Sequence, residues 1–427
     1  MASPLPSKST NGPIKPRIII HGGAGNLTRT SLSRDLYNAY LSSLNHILSA
    51  SSDLLATPGI TSLDVATYAV SLLENDALYN SGHGAVFTTA GHNELECSIM
   101  VSNGYIKRGV GCSMLKRVKN PIKLARELLV RGEEMGKGEA GAHCQYNGEY
   151  VEELAEKWGL EMVDERYYFT QRRWDEHVRG LKERDAQQAR NGELSQWEKD
   201  TYLPQGTCGA VVMDSFGTIC VATSTGGITN KVPGRIGDTP TLGAGFWAEE
   251  WFEDAQREMR YQPVASSPMD KLSRGDLGGL LGQCLPVNSS TDAERPTEMV
   301  EEKPRRLRHA VGISGTGNGD SFLKMCAART AIARSRFSHK PLSSSTSWMI
   351  GRGGELQRSA GDRWGKTIEG TGGMIGIEVV GEKTNVVFDY NCGGLCRAWV
   401  DDEGSKKCLI FREDSYESGP KSWECIM

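Results

Sequence analysis

The sequence predicts an α+β fold in which two sheets are covered by layers of helix. Short apolar runs of strand length come in blocks, and stretches with helical periodicity come in blocks beside them. One-for-one alternation, the mark of a doubly wound sheet, is missing. Glycine, 50 of 427 residues, clusters in short loops next to the strand-like runs, which fits close backbone packing and loop-built sites. Apolar residues at 38% and charged residues at 24% are the ordinary balance of a globular chain.

Taken in order, residues 1–16 are rich in Ser, Pro and Lys, are expected to be disordered, and lack the apolar core of a secretory signal. Arg17 to Ile20 reads as a buried strand running into His21-Gly22-Gly23-Ala24-Gly25. An amphipathic helix is expected from Leu32 to about Ser49. A second runs from Leu63 to Glu74, with Ser62 placed to cap it. After a loop from Asn75 to Gly84, Leu95–Val101 and Tyr105–Arg108 pair about the turn Asn103-Gly104. Pro121 suits the first turn of a helix reaching Val130. Residues 180–206 are charged and poorly patterned and read as an exposed linker. Strands resume at Cys208 and continue to about Phe246. Residues 252–308, rich in Pro, Ser and charge, read as a partly disordered surface insertion. A strand from His309 to Ser314 and a helix from Ser321 to Arg334 follow, then a second Ser/Gly-rich insertion, 335–370. Met374–Val380 and Asn385–Tyr390 are the last strands. The whole is one domain, 17–427.

Net charge is −4, so no electrostatic footprint points to nucleic acid or an anionic membrane. No apolar run approaches bilayer-spanning length. The 11 cysteines form no paired C-x-x-C pattern, and an odd count without a signal favours free thiols in a reducing, cytoplasmic compartment. The sequons at Asn26 and Asn288 matter only for a secreted chain. Cys425 stands one residue too late for a prenylation box. The histidines form no H-E-x-x-H or Cys/His ligand cluster, which argues against a catalytic transition metal. Ala360 to Thr367 matches a permissive P-loop, but Gln357-Arg358-Ser359 precede it where a buried strand is required. Gly315-Thr316-Gly317-Asn318-Gly319-Asp320 does lie between a strand and a helix. It offers backbone donors to a small substrate rather than a dinucleotide fingerprint.

The chemistry concentrates at Gly206-Thr207. A charged stretch precedes this bond and a buried-strand run, Cys208 to Met213, follows it. A cut here would give Thr207 a hydroxyl nucleophile and a free α-amine, and the amine can act as the base a threonine hydroxyl lacks. An α-amine titrates near pH 7.7–8.0, well below a lysine. Asp214-Ser215-Phe216-Gly217 then turns the chain into a second strand, Thr218 to Ala222. That hairpin carries Thr225 back toward Thr207. Arg235 and Asp238, three apart in a Gly-rich loop, have the charges to hold a zwitterionic amino acid, or could form only a local pair.

The chain resembles the plant-type asparaginases and isoaspartyl peptidases, N-terminal nucleophile hydrolases that cut themselves before a threonine. The resemblance is carried by His21-Gly22-Gly23-Ala24-Gly25, Leu73-Glu74-Asn75-Asp76, Tyr79-Asn80-Ser81-Gly82, Gly206-Thr207 with its strand, Thr223 through Asp238, Gly315-Thr316-Gly317, and Asn391 to Trp399. It implies a four-layer αββα sandwich and a homodimer of protomers cleaved into 17–206 and 207–427. It also implies hydrolysis of L-asparagine and β-aspartyl dipeptides through an acyl-enzyme. Residue by residue, Thr207 is similar to the family's nucleophile and Thr225 to its assisting hydroxyl. Arg235 would clamp the substrate α-carboxylate. Asp238 would take the α-ammonium with help from backbone near Gly317 and Gly319, and Asn80 and Thr316 resemble the oxyanion donors. No catalytic cofactor is implied. The main-chain carbonyls of Leu73, Glu74, Asp76, Tyr79, Ser81 and His83 resemble a loop holding a structural sodium ion. Lysosomal glycosylasparaginases share the Gly-Arg-x-Gly-Asp loop but are secretory. A threonine aspartase-like endopeptidase and an uncleaved binding protein stand as alternative readings. Cys208 departs from the aliphatic residue usual beside the nucleophile.

Overall fold

Side chains that alternate along each strand sort to opposite faces of a sheet, and this alternation lays out the molecule. The computed structural model describes residues 14–132, 140–141, 143–191, 193–200, 206–254, 260–263, 297–300 and 306–426. Contacts divide the chain into two compact units, one of Met1–Trp251 with His309–Met427 and the other Phe252–Arg308. Most of the expected disordered N-terminus, linker residues 201–205 and much of the first insertion lie outside the described residues.

The elements in chain order are β1 (Arg17–Gly25), α1 (Arg34–Leu55), α2 (Ser62–Asn75), β2 (Leu95–Asn103), β3 (Ile106–Leu115) and α3 (Pro121–Gly132). Next come β4 (Gln145–Asn147), α4 (Glu149–Lys157), α5 (Gln171–Ala189), α6 (Gln196–Asp200), β5 (Cys208–Met213) and β6 (Ile219–Thr225). β7 (Phe246–Asp254), β8 (Arg260–Pro263), β9 (Thr297–Val300) and β10 (Arg306–Gly317) precede α7 (Gly319–Met325), α8 (Ala327–Phe337), α9 (Leu342–Ile350) and α10 (Glu355–Arg358). β11 (Gly372–Val380), β12 (Lys383–Tyr390), β13 (Gly394–Val400) and β14 (Lys406–Leu409) end the series. One sheet has the order β14-β13-β1-β5-β6-β2-β3-β4, the other β12-β11-β10-β7. Within Phe252–Arg308, β8 and β9 pair antiparallel, Arg260 opposite Val300.

Three cores separate four layers. Ile18, Ile20, Ala210, Val212 and Ala222 pack with Leu44, Val65, Val70 and Leu124 of α1–α3. Ile19, Val211, Met213 and Val221 turn the other way and meet Phe246, Ala310, Ile375 and Ile377 between the sheets. Val311, Ile313 and Met374 face Phe322, Ala331, Ile332, Met349 and Ile350 of α7–α9. This is the αββα sandwich.

Several elements differ from their sequence expectation. α2 is capped by Thr61, whose Oγ1 accepts from the Asp64 amide at 3.2 Å, one residue before Ser62. Much of the expected linker 180–206 is helical, in α5 and α6. Paired charges at helical spacing, Arg172 with Glu176 and Arg179 with Glu183, run along α5, and such a polar helix mimics loop composition. The segment 335–370 is not a surface insertion. Its α9 and α10 bury Leu342, Met349, Ile350 and Leu356 in the third core. The helix expected over Ser321–Arg334 is broken at Cys326, whose φ of 43° is left-handed, so α7 and α8 are separate. The P-loop match Ala360–Thr367 has a 3₁₀ turn at Gly361–Arg363 and no strand before it.

Candidate active site

Strand parity decides which hydroxyls meet. Ala210 and Val212 point to the helices and Val211 to the opposite sheet, so Thr207 falls on the inter-sheet face. On β6, Val221 faces between the sheets, and so do Thr223 and Thr225. Cys208 pairs with Ser224, which sets Thr207 beside Thr225 at the end of the sandwich. Cys208 turns away. Its Sγ donates to the Ser224 carbonyl at 3.3 Å, and burial pushes its thiol up, out of reach of chemistry on the other face.

One cleft is walled by Gly206, Thr207, Thr225, Arg235, Asp238, Gly317 and Gly319, together with Ala24, Glu96, Gly227, Ile368, Thr371 and Trp423. Residues dispersed over the sequence thus converge on the Gly-Thr bond. Gly317 has φ +141°, a conformation that favours glycine. It ends β10 just before α7, with the Asn318 side chain capping the helix. The cleft walls at Ile368 and Thr371 come from or adjoin the segment that composition marked as an insertion, and Trp423 comes from the C-terminal segment. Its indole donates to the Gly365 carbonyl at 3.0 Å.

The hydroxyls are already engaged. Thr207 Oγ1 lies 2.8 Å from Thr239 Oγ1, a buried contact that sequence reasoning missed. Only adjacency to Asp238 pointed to Thr239. Thr225 Oγ1 accepts from the Gly227 amide at 3.0 Å. Thr316 Oγ1 accepts from the Ala24 amide at 3.1 Å and also faces the Gly206 α-carbon. Asn80 stands behind the cleft wall. Its amide donates to the Gly227 carbonyl at 2.7 Å and its Oδ1 accepts from the Val86 amide at 3.0 Å. His21 and Ser314 bridge the two sheets at 2.7 Å. Burial brings the His21 imidazole down to about 3, against an upward pull from the Thr207 backbone, so it is neutral.

Charges group at the other end of the cleft. Arg235 Nη2 donates to Asp320 Oδ1 at 3.1 Å. Burial pushes the Asp238 carboxyl up to about 7, with Arg235 opposing and Glu96 adding to the rise. Asp238 Oδ2 is buried beside Gly245 with no hydrogen-bond partner among the described residues, while Oδ1 faces Gly319 of the cleft wall. Glu96, also missed in the sequence, shares this wall. The alternation of apolar Leu95, Cys97, Ile99 and Val101 on β2 was the available signal, since it sends Glu96 to the opposite face.

The 73–83 loop uses its side chains elsewhere. Ser81 Oγ donates to Ser224 Oγ at 2.6 Å, and Ser224 donates to Glu74 Oε1 at 2.7 Å. Burial raises the Glu74 carboxyl to about 8. The His83 ring meets the Tyr167 carbonyl at 2.5 Å. The Leu73, Glu74 and Asp76 carbonyls each accept an amide, from Asp76, His83 and Tyr79. The Ala77 and Tyr79 carbonyls converge on Gly84, where a Cβ would stand 2.7 Å from each. That packing leaves room only for a glycine at position 84.

A family model described as asparaginase matches residues 14–253. An isoaspartyl peptidase of Salmonella typhimurium is 35% identical over 396 residues, 93% of this chain and 98% of the relative. One of Escherichia coli is 36% identical over 396 residues, 93% and 96% of the two chains. An isoaspartyl peptidase/L-asparaginase of Mus musculus is 33% identical over 240 residues, 54% of this chain and 63% of the relative.

Proposed function

Because the chain belongs to the asparaginase family, we propose that it is a self-cleaving hydrolase of L-asparagine and β-aspartyl dipeptides, with Thr207 as nucleophile. The observation that carries this is the convergence, in one cleft, of the Gly206-Thr207 bond with Thr225, Arg235 and Asp238.

Self-cleavage begins when Thr207 Oγ1 attacks the Gly206 carbonyl carbon. The peptide C–N bond breaks, an ester forms on Oγ1, and water hydrolyses it to leave Thr207 with a free amine. In turnover the hydroxyl proton passes to that amine as Oγ1 attacks the side-chain carbonyl of the substrate. The tetrahedral oxyanion collapses, ammonia or an amino acid leaves with the proton, and an aspartyl ester remains on Thr207. Water then releases aspartate. Arg235 supplies the planar fork for the α-carboxylate, and the Asp238 carboxylate is the partner for the α-ammonium. Thr225 supports the nucleophile from the neighbouring strand. Thr316, next to Gly206, is in place to serve developing oxyanion charge, whereas Asn80 acts by holding the Gly226-Gly227 loop. A sodium ion held by main-chain carbonyls of the 73–83 loop would stiffen that loop and has no chemical step. The cleaved protomers form a homodimer in the cytoplasm; buried free thiols such as Cys97, Cys112, Cys208 and Cys220 favour that compartment.

A denaturing gel, N-terminal sequencing and an ammonia-release assay test the reading together. The expected result is two fragments, the second beginning at Thr207, and activity on both substrates. Thr207→Ala should remain whole and inactive, and Thr207→Ser should retain some cleavage. An intact chain that still hydrolyses asparagine would overturn the mechanism.

A further inference from the structure

The loop carrying Arg235 and Asp238 is tied to the sheet by two carboxylates of one strand and its approach. Glu94 Oε2 accepts from the Gly234 amide at 2.9 Å, and its main-chain carbonyl accepts from Lys231 Nζ at 2.7 Å. Glu96 Oε1 accepts from the Gly237 amide at 2.9 Å, with Lys231 Nζ 3.8 Å away. Gly237 is the second residue past Arg235 and the one before Asp238, so this hydrogen bond fixes the peptide between the two groups that would hold substrate.

The other oxygen of Glu96 is not used up in that anchor. Oε2 has no hydrogen-bond partner among the described residues, although Glu96 is only 1% exposed and walls the cleft. A buried charged oxygen left in this state is costly unless a partner arrives. Its surroundings define that partner. A Cβ at Gly237 would stand 2.7 Å from Arg235 Nη1 and 2.8 Å from Glu96 Oε2, so guanidinium and carboxylate face each other across that α-carbon. On the far side, a Cβ at Gly319 would stand 2.5 Å from Asp238 Oδ1 and 3.0 Å from Arg235 Nη2. Arg235 is therefore flanked by Glu96 at one nitrogen and by Asp238 and Asp320 at the other.

We propose that Glu96 is a positioning residue of the substrate cleft, fixing Gly237 through Oε1 and facing the Arg235 guanidinium with Oε2, so that the fork is held for an α-carboxylate. The assignment rests on the proposed amino-acid hydrolase reading. Loss of the Glu96 charge then loosens the carboxylate clamp without touching the nucleophile.

Two variants separate charge from shape. Glu96→Gln keeps an acceptor for the Gly237 amide and removes the charge, whereas Gly237→Ala wedges a methyl between Arg235 and Glu96. Both are assayed as cleaved protein, with kcat and KM for L-asparagine measured on either side of neutral pH. Glu96→Gln is expected to raise KM about tenfold, the scale of one charge-assisted contact, with kcat within about twofold and self-cleavage retained. Asp238 is faced by Arg235, Glu96 and Asp320. Losing the Glu96 charge lowers its titration and moves the acid limb of kcat/KM to lower pH, a change that a merely structural role would not make. Gly237→Ala should raise KM without moving that limb. Unchanged KM and acid limb in folded Glu96→Gln overturn the proposal, as does unchanged KM in Gly237→Ala if the first variant does not fold. If cleaved wild type hydrolyses neither substrate, the catalytic reading has failed, and L-aspartate binding by calorimetry decides the Glu96 assignment. Binding about tenfold weaker in Glu96→Gln supports it; equal binding, or none by wild type, overturns it.

Discussion

Replacing Gly206 by alanine puts the smallest possible side chain at the bond to be cut. A Cβ there would run into Thr316 Oγ1 and stand 2.8 Å from the Ala24 amide nitrogen and 2.9 Å from its carbonyl oxygen. Thr316 is a side chain and can rotate. Ala24 cannot, because β1 is paired on both sides, with Ala24 opposite Leu395 and His21 opposite Gly209. The Gly206 α-carbon must therefore yield by about half an ångström to reach ordinary contact, carrying its carbonyl away from Thr207 Oγ1. Misplacement of about 1 Å costs on the order of a hundredfold in rate, so half of that gives roughly tenfold slower self-cleavage. Overpacking should also cost about 1–3 kcal/mol of stability. The assay is a time course on denaturing gels from freshly purified precursor, with thermal melts alongside. Gly206→Ala that processes at the wild-type rate would show that the bond is not held against Ala24, and the geometric account of cleavage would fall.

Arg235→Lys keeps the charge and loses the fork. With a charged hydrogen bond worth about 1.5–3 kcal/mol, KM for asparagine should rise roughly 10- to 100-fold, while self-cleavage, which needs no substrate carboxylate, stays normal; an unchanged KM counts against the clamp. Asp238, raised to about 7 by burial, must be ionised to receive an ammonium, so KM should climb as pH falls below about 7, and Asp238→Asn should have a high KM without that dependence. Glu74 is protonated more readily in the folded protein, near 8 against an ordinary 4.5. The folded state therefore binds more protons between those values, and stability falls as pH rises through them. Glu74→Gln, still able to accept from Ser224, should flatten that decline in melting temperature; Asp238 supplies a remaining slope, and a variant with the wild-type slope refutes the assignment to Glu74.

The sequence was most legible where one physical signal acted alone. Arg17 to Ile20, the Asn103-Gly104 hairpin and the Cys208–Thr225 hairpin were visible because apolar runs and turn residues agreed. It was least legible where composition and periodicity conflicted. Ser343 to Ser347 made α9 look like a loop, yet Leu342, Met349 and Ile350 lie at positions i, i+7 and i+8, a buried helical face. Alternating charge hid α5 in the same way. The strands beyond Tyr390, β13 and β14, escaped the sequence reading, which ended at Asn385–Tyr390, since Gly394–Val400 contains Arg397, whose buried guanidinium donates to the Leu395 and Phe411 carbonyls. In the site, Thr207, Thr225, Arg235 and Asp238, which line one cleft, stood out in the sequence because their types suit the proposed chemistry. Glu96 and Thr239 were not, because their importance comes from which residues a strand register and a loop bring beside them.

The order β14-β13-β1-β5-β6-β2-β3-β4 has a consequence for the history of the molecule. Strands from before the cut (β1, then β2, β3 and β4) are shuffled among strands from after it (β13 and β14, then β5 and β6). Three seams between the two fragments thus run through one sheet. If the Gly206-Thr207 bond is cut as proposed, the new end of β5 remains held between β1 and β6, so breaking that covalent bond barely loosens the particle. Refolding is another matter. Once unfolded, the two pieces must find each other in solution, and β1 can be inserted only when both of its neighbours are present. The intact precursor solves that search within a single chain, once. The proposed cleavage would discard the connection that made the solution possible, and a cleaved protein would then have to persist through a barrier to unfolding rather than by assembling itself again.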